Sequence, residues 1–194
     1  MKDQKEFFNE KAEIWDEICH HDMDKVREIL DMIHIPLDAK ILDVGTGTGV
    51  LIPELVKCIS EKGQIIAVDV ADKMVEKAKT KHTYPNVSFK CMDALMIEDK
   101  DYDVITCYSM FPHFEDKDKA IYSLADKLLK NGKLAICHSQ SREAINQLHG
   151  AADDRVKEDR LPRKEIIEAY LKQAGLSLVQ AVDTEDMFVL IGEK

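Results

Sequence analysis

The sequence predicts an α/β protein with a largely parallel sheet and helices on both of its faces. From Lys40 onward, short apolar runs alternate with stretches of helical period, a pattern typical of parallel strands and their crossover helices. The first apolar run leads into three glycines at alternate positions. The chain ends in two strand-like runs whose connection is too short for a parallel crossover, so we expect an antiparallel pair there.

The elements follow in a simple order. Two amphipathic helices precede Pro36, so residues 1–36 are expected to form an N-terminal helical cover. Parallel strands are predicted at 40–44, 64–69, 87–91, 102–107 and 133–138, and the antiparallel pair at 176–182 and 187–191. Asn131 and Gly132 are expected to end the helix before the fifth strand. The polar stretch 139–161 is expected to pass above the sheet, and no linker divides 1–194, which predicts a single domain.

Composition limits the functional classes. Lys and Arg total 27 against 37 Asp and Glu, a formal charge of −10, which argues against nucleic acid as a partner. The sequence shows no apolar leader and no run long enough to span a membrane, so we expect a cytoplasmic protein that does not associate with membranes. The five cysteines are scattered without a C-x-x-C pair, so neither a disulfide framework nor a cysteine zinc site is expected. Oligomeric state does not follow from the sequence.

The glycine loop predicts a nucleotide-like ligand. Gly45, Gly47 and Gly49 follow an apolar strand and precede a helical pattern, which permits close approach of a ligand to the backbone and to the free N–H groups of the helix. A dinucleotide fingerprint counted from Gly45 would need glycine at Val50, and a P-loop would need lysine there. Both of these ligand classes are therefore disfavoured.

Three aspartates follow or precede the strands at the same edge of the sheet. Asp69 ends the second strand, where a carboxylate can accept hydrogen bonds from both hydroxyls of a ribose. Asp93 follows the third strand, within reach of an adenine amino group, and Asp43 precedes the glycines, where it can meet an ammonium directly or through water. Together they indicate an adenosine-like ligand that carries an amino group.

The sequence resembles the class I S-adenosylmethionine-dependent methyltransferases over nearly its whole length. Residues 41–51 are similar to the glycine motif of that family, 65–70 to its acidic ribose motif, 92–94 to its adenine motif, and 102–108 to the strand that leads to the transfer site. The resemblance implies S-adenosylmethionine as the cofactor. It also implies a Rossmann-like, doubly wound sheet of seven strands in the order 3-2-1-4-5-7-6, with the last strand antiparallel.

Cofactor-binding residues follow from the same motifs. The resemblance implies that Asp43 orients the methionine ammonium, that Asp69 holds the ribose and that Asp93 binds the adenine amino group. Cys107, at the end of the fourth strand, is expected to line the cofactor pocket rather than the strand core. The residues predicted to bind the cofactor are Asp43, Gly45, Thr46, Gly47, Asp69, Val70, Met74, Asp93, Ala94 and Cys107.

The residues after the fourth strand and the histidines indicate which acceptor class and which catalytic bases to expect. Residues 107–114 lack the Asn or Asp followed by Pro-Pro and an aromatic residue that amino-methyltransferases of nucleic-acid bases carry, which favours a small-molecule acceptor. A neutral imidazole is a suitable base near pH 7. His138, at the carboxyl end of a central strand, and His113, after the fourth strand, are the candidate catalytic bases. Arg142 is a candidate contact for an anionic acceptor.

Two other functions remain open on the sequence alone. A metal-assisted methyltransferase would use His21, His138 and His149 to hold a divalent ion that lowers the pKa of the acceptor. A non-catalytic module would keep the cofactor site without turnover. An adenine-dinucleotide oxidoreductase is disfavoured because the third glycine of the fingerprint and a substrate domain are both missing.

Overall fold

The computed structural model describes residues 2–194, with side chains from residue 4 onward. Seven strands form one sheet in the order β3-β2-β1-β4-β5-β7-β6, which confirms the predicted order. The strands are β1 (Lys40–Val44), β2 (Gln64–Asp69), β3 (Val87–Cys91), β4 (Tyr102–Tyr108), β5 (Leu128–His138), β6 (Ser177–Asp183) and β7 (Phe188–Glu193).

The helices precede the sheet or connect its strands. They are α1 (Lys2–Lys11), α2 (Trp15–Ile18), α3 (Met23–Ile33), α4 (Ile52–Cys58), α5 (Asp72–Lys81), α6 (Lys117–Asp126), α7 (Arg142–Gly150) and α8 (Lys164–Gln173). Two short 3₁₀ turns, Ala94–Met96 and Phe111–His113, follow β3 and β4. None of the helices in residues 2–194 combines the length and apolar character that crossing a membrane requires.

The sheet is parallel from β3 to β5, and β7 enters antiparallel between β5 and β6. Because successive side chains of a strand point to opposite faces, β4 contributes to two cores. Ile105 packs with Leu134 under α6 and α8, whereas Val104 packs with Val189 under α3 and α4. Because β1 to β5 are parallel, their carboxyl ends lie at one edge of the sheet. Helices cover both faces of the sheet.

The N-terminal cover has three helices rather than the two that its periodicity predicts. α1 ends at Lys11, and Trp15 begins the separate short helix α2. The third helix, α3, begins at an Asp22 N-cap whose carboxylate accepts hydrogen bonds from the amides of Asp24 and Lys25. This break lets Phe8 of α1 and Trp15 of α2 contact each other edge to face, with ring centroids 5.5 Å apart.

Asn131 and Gly132 do not end a helix, and that prediction is wrong. α6 ends at Asp126, and Leu128 already pairs with Tyr102 as the first residue of β5. Asn131 adopts a left-handed φ of 65° inside this strand, and its amide donates to the carbonyl of Lys194. The pair therefore forms a kink in a long strand, where the pairing of β4 with β5 shifts register.

Candidate functional site

A cavity lies at the carboxyl ends of β1, β2, β4 and β5. Its floor is the glycine loop after β1, and its sides come from the ends of β2 and β4, from the turn after β3 and from α7. The N-terminal cover closes it from above through side chains that include Phe8 and Trp15. Ligands of open α/β sheets bind at this position, because the loops at the strand ends diverge there.

The glycine loop leaves room for a ligand against its backbone. Gly47 has a φ of +56°, and a Cβ built on it would meet only the Trp15 Nε1 atom, at 3.9 Å. Gly45 is tight instead, since a Cβ there would lie 2.7 Å from the Cβ of Met110. Thr46 lies between them with a buried hydroxyl that has no partner in the described structure. Open space beside an unpartnered hydroxyl fits a polar cofactor.

Asp69 connects the end of β2 to the glycine loop. One of its carboxylate oxygens accepts a hydrogen bond from the Gly47 amide at 2.9 Å, and the other accepts from the Ala71 amide at 2.9 Å. Burial raises the pKa of this carboxyl above its ordinary value. Because each carboxylate oxygen has two lone pairs, Asp69 retains acceptor sites on the cavity side for the two hydroxyls of a ribose.

The turn after β3 forms the far end of the cavity. Asp93 caps this turn by accepting a hydrogen bond from the Leu95 amide at 2.9 Å, and its side chain borders the cavity. Val70 and Met74 give an apolar wall beside it, and Ala94 follows directly. An apolar slot with one acceptor at its end has the shape and polarity that an adenine ring requires.

Asp43 lies behind the glycine loop rather than along the cavity. Its side chain is 2% exposed and accepts a hydrogen bond from the Thr106 hydroxyl at 2.8 Å. Burial raises the pKa of this carboxyl to about 6, partly offset by the Thr106 hydrogen bond. Contact with an ammonium in the cavity would therefore run through Thr46 or a water molecule, and this role stays a prediction.

Cys107 does not line the cavity, so its predicted placement is wrong. It is fully buried on the face of β4 that packs against Val44 and Ile136. The next residue, Tyr108, points to the opposite face and borders the cavity. Neighbouring residues of a strand point to opposite faces of the sheet, so only one of Cys107 and Tyr108 can border the cavity. The sequence at these two positions does not indicate which one it is.

His138 does not reach the cavity either, although the strand end carries it toward that edge. It is 1% exposed, lies edge-on to Phe188 with centroids 6.4 Å apart, and neither ring nitrogen has a partner within the described residues. Burial, with smaller contributions from His113 and His149, lowers its pKa to about 3. Its prediction as a catalytic base is wrong, because a neutral ring sealed in the core cannot contact an acceptor.

His113 borders the cavity and is paired with a residue that the sequence did not single out. Its Nδ1 lies 2.7 Å from the Asp159 carboxylate, and its ring contacts Phe8 edge to face at a centroid distance of 5.0 Å. The Gln4 amide donates to both carboxylate oxygens of Asp159, at 3.1 and 3.0 Å. His149 lies beside this pair, with its ring 5.0 Å from that of His113. Nothing in the sequence near Asp159 indicates this pairing, which only the fold of 139–161 produces.

A second hydrogen-bonded group lies on the other side of the cavity. The Tyr108 hydroxyl is 2.9 Å from His21 Nδ1 and 2.8 Å from the Ser139 hydroxyl. His21 Nε2 is 3.4 Å from the Cys19 sulfur. Burial raises the pKa of Tyr108 to about 12, so the phenol stays neutral near pH 7. The N-terminal cover thus contributes polar groups as well as aromatic rings.

The histidines are not arranged as a metal site. Among the described residues, no group of three or more His, Cys, Asp or Glu side chains could hold a metal ion. His21 is hydrogen-bonded to Tyr108, His149 to the Asp159 carbonyl, and His138 is sealed in the core. The structure therefore does not support the predicted ligand set of His21, His138 and His149, because these three side chains do not converge as a group that could hold a metal ion.

Arg142 is turned away from the cavity. It forms an ion pair with the neighbouring Glu143 and borders a shallow surface depression with Asn146 and Arg160. Its prediction as the contact for an anionic acceptor is therefore wrong. Ser141 beside it caps α7, accepting a hydrogen bond from the Ala144 amide at 3.1 Å.

Comparison with known proteins agrees with this geometry. Residues 41–132 match a protein family described as a methyltransferase domain. The malonyl-[acyl-carrier protein] O-methyltransferase of Bacillus cereus is 29% identical over 153 residues, which is 77% of this chain and 56% of the relative. The ubiquinone/menaquinone biosynthesis C-methyltransferase UbiE of Shewanella piezotolerans is 35% identical over 103 residues, 50% of this chain and 41% of the relative.

The fold also matches a solved structure along nearly its full length. A SAM-dependent methyltransferase from Aquifex aeolicus superposes with a TM-score of 0.73 at 21% identity, covering 95% of this chain and 97% of that one. The chain spans about half the length of the curated relatives it matches, from 41% to 56%.

Proposed function

Because the chain belongs to the class I S-adenosylmethionine-dependent methyltransferases, we propose that it transfers a methyl group from S-adenosylmethionine to a small molecule bound in the cavity. The observation that carries the proposal is the glycine loop. Gly47 leaves space against the backbone, and the loop is held by Asp69, the residue expected to bind the ribose. A fold alone would not assign a function.

The remaining cofactor contacts follow from the placement of the side chains. Asp93 would accept a hydrogen bond from the adenine amino group, and Val70 with Met74 would pack against the ring. Thr46 supplies the unpartnered hydroxyl near the methionine end, with Asp43 behind it. S-adenosylmethionine supplies a methyl group already activated by its positive sulfur, so the chain mainly needs to align the acceptor and remove its proton.

His113 is the better candidate for the base. It borders the cavity, whereas His138 is sealed in the core. Its Nδ1 faces the Asp159 carboxylate at 2.7 Å, which orients the ring and stabilises the imidazolium that forms when the other nitrogen takes a proton. The histidine base in this proposal is therefore His113, with Asp159 as a positioning residue.

The acceptor does not follow from the relatives. One is named as an O-methyltransferase and another as a C-methyltransferase, so their names agree on methyl transfer and differ on the acceptor atom. The absence of the Pro-Pro motif after β4 and the charge of −10 support a small molecule rather than a nucleic acid. A cytoplasmic location and a single domain over 1–194 stay predictions.

Calorimetric titration with S-adenosylhomocysteine tests the cofactor half of the proposal. We expect tight binding to the native protein and a raised melting temperature, with no effect of NAD. Asp69→Asn, which keeps one carbonyl oxygen for the loop, should weaken binding about tenfold. Asp126→Asn is the matched control, because it removes a carboxylate that pairs with Lys100 on the surface. Stabilisation by NAD instead of the homocysteine product would contradict the proposal.

Label transfer tests the acceptor half. The protein is incubated with S-adenosylmethionine labelled in its methyl group and a cell extract separated into low-mass and macromolecular fractions. We expect label in low-mass products. Label confined to precipitable macromolecules would contradict a small-molecule acceptor, and cofactor binding without label in either fraction would favour a non-catalytic module.

A further inference from the structure

The hydrogen bond of His149 fixes which of its nitrogens carries a proton. Its Nδ1 lies 2.7 Å from the main-chain carbonyl of Asp159, and a carbonyl can only accept. Nδ1 therefore donates, and in the neutral ring Nε2 is left as an acceptor. Burial lowers the pKa of His149, so the neutral form predominates near pH 7.

The same residue, Asp159, fixes His113 in the same way. Its side-chain oxygen lies 2.7 Å from His113 Nδ1, so with Nδ1 donating to it, Nε2 of the neutral ring is left as the acceptor. Neither Nε2 makes a hydrogen bond to another described residue, and both histidines border the cavity. One aspartate, through its side chain and its backbone, thus presents two basic nitrogens from rings 5.0 Å apart.

The cavity offers no counter-charge for an anion. Among the side chains of residues 4–194, no lysine or arginine lines it. Two lysines lie close behind its walls, and both are engaged: Lys81 donates to Asp16 at 2.7 Å, and Lys117 donates to the Phe114 carbonyl at 2.8 Å. The carboxylate of S-adenosylmethionine can pair with the ammonium of the same molecule, but a carboxylate or phosphate on the acceptor would have no lysine or arginine partner among these side chains.

Apolar side chains form the walls around these nitrogens. Phe8 contacts His113, and Phe114 packs edge to face on Phe111 with ring centroids 5.9 Å apart. Ile145 and Leu148, one turn of α7 apart, border the cavity beside His149. This part of the lining suits an apolar body such as an aromatic ring, with the two imidazole nitrogens among its polar contacts.

We propose that the acceptor is an uncharged aromatic molecule that carries a weakly acidic hydroxyl or thiol, which His113 deprotonates, while His149 Nε2 is free to accept a hydrogen bond from a second donor group where the acceptor has one. This inference rests on the proposed function and specifies its substrate class. A neutral imidazole is a competent base for a phenol of ordinary pKa near about 10 or a thiol near about 8.5, and a poor one for an aliphatic alcohol.

The step balances in atoms and charge. The acceptor O–H or S–H gives its proton to Nε2 of His113, and the resulting oxygen or sulfur anion forms a new bond to the methyl carbon. The bond between that carbon and the sulfonium sulfur breaks, and its electron pair stays on sulfur, which becomes a neutral thioether. The positive charge lost by the sulfur appears as the proton on His113, beside Asp159, and leaves to solvent.

Four acceptors of similar size test the substrate class with the wild-type protein and S-adenosylmethionine. They are p-cresol, 4-methylbenzenethiol, p-toluidine and 4-hydroxybenzoate, and methylated product is measured by mass spectrometry. We expect kcat/KM for the cresol or the thiol to exceed that for the amine and for the carboxylate by at least about tenfold. Preference for 4-hydroxybenzoate would overturn the uncharged acceptor, and preference for p-toluidine would overturn proton removal. Transfer to none of the four would also overturn the substrate class.

Binding of S-adenosylhomocysteine, measured first by calorimetry, separates this inference from the proposed function. A protein that does not bind the product contradicts the proposed function, whereas one that binds it with the wrong acceptor preference contradicts only the inference. His113→Gln should lower kcat about a hundredfold with unchanged product binding. Asp159→Asn should lower kcat more than it raises KM, and His149→Gln should mainly raise KM.

A surface histidine provides the control for these variants. His34 is exposed and has a φ of +55°, a conformation that asparagine tolerates, so His34→Asn should leave kcat, KM and melting temperature unchanged. If His113→Gln keeps wild-type kcat with the preferred acceptor, the assignment of the base is wrong. If Asp159→Asn loses product binding and melting temperature together, its role is structural and the positioning role is wrong.

Discussion

The carboxylate of Asp69 accepts a hydrogen bond from the Gly47 amide at 2.9 Å, and so joins the end of β2 to the middle of the glycine loop. Sequence motifs place both residues in the cofactor site, but they do not show that the two contact each other. The contact means that one side chain both shapes the loop and borders the cavity where the ribose is proposed to bind. Loss of Asp69 should therefore affect loop geometry and ligand contact together.

Gly47→Ala should abolish cofactor binding while lowering stability only modestly. The added Cβ would project into the space between the loop and Trp15, where the proposed cofactor would lie against the backbone. The left-handed φ of +56° adds about 1 to 2 kcal/mol of backbone strain. The measurement is calorimetric titration with S-adenosylhomocysteine, alongside thermal unfolding.

Gly175→Ala is the matched control for that variant. Gly175 has a φ of +80° with nothing within 4 Å of a built Cβ, so it should show similar strain and unchanged cofactor binding. If both variants bind cofactor equally well, the space in front of Gly47 is not the ligand site.

The sheet could be predicted from sequence because its signals are local and repeated. Most of the parallel strands contain a short apolar run, and the two-residue alternation carries through to the cores on both faces. The helix end predicted at Asn131 was wrong because a residue with left-handed φ ends helices more often than it kinks strands. That position is decided by pairing with Lys194, which lies far away in the sequence.

The cofactor side of the site was also more predictable than the acceptor side. Glycines and aspartates at strand ends have fixed spacing from the strands, so Asp69 and Asp93 reach the cavity as expected. His138 also lies at a strand end, but its side chain points into the core beside Phe188. Position at a strand end does not determine whether a side chain points into the core or into the cavity. The sequence does not predict the role of Asp159, because its partner His113 is 46 positions away in a different loop.

Cofactor affinity should rise with pH through about 6 in the wild-type protein. Burial raises the pKa of Asp43 to about 6, so its carboxyl is largely protonated below that pH and cannot attract the methionine ammonium. Below the pKa, each pH unit should change the affinity for S-adenosylhomocysteine by up to about tenfold. Titrations at pH 5, 6, 7 and 8 measure the slope.

Asp43→Asn removes the titrating group and should flatten that slope. Any remaining dependence would come from Asp69, whose pKa burial also raises. An unchanged slope in Asp43→Asn would show that Asp43 plays no part in binding the ammonium.

Asp16→Ala should speed cofactor release by roughly fivefold. Asp16 accepts hydrogen bonds from the Thr48 hydroxyl at 2.6 Å and from Lys81 at 2.7 Å, and so ties the N-terminal cover to the glycine loop. Because the pair is partly exposed, it contributes about 1 kcal/mol, which corresponds to that factor. Stopped-flow displacement of a fluorescent S-adenosylhomocysteine analogue measures the rate.

Glu13→Ala is the control for the cover, since Glu13 pairs with Lys77 of α5 at 3.2 Å and does not contact the glycine loop. Its release rate should match the wild type. Equal acceleration in both variants would mean that loosening the cover anywhere is sufficient, and that the contact of Asp16 with Thr48 has no special role.

His138→Leu should make the protein equally or more stable at pH 7 and less sensitive to acid. The pKa of His138 is about 3 in the folded state against about 6.5 when unfolded, so between these values the unfolded chain binds more protons. Stability therefore falls as pH drops through this window, by up to about 1.4 kcal/mol per pH unit from this group. Leucine has a similar volume, does not titrate, and removes two unpartnered ring nitrogens, which should favour the folded state by about 1 kcal/mol.

Urea unfolding at pH 7 and pH 5 measures the His138→Leu effect, with His34→Asn as the exposed histidine control. The difference in unfolding free energy between the two pH values should shrink in His138→Leu and stay unchanged in the control. Methyl transfer should also be unaffected, because the ring lies outside the cavity. A large loss of kcat in a variant with wild-type stability and cofactor affinity would instead indicate that His138 takes part in catalysis. The core position would then have to open during turnover, since the buried ring cannot otherwise reach an acceptor.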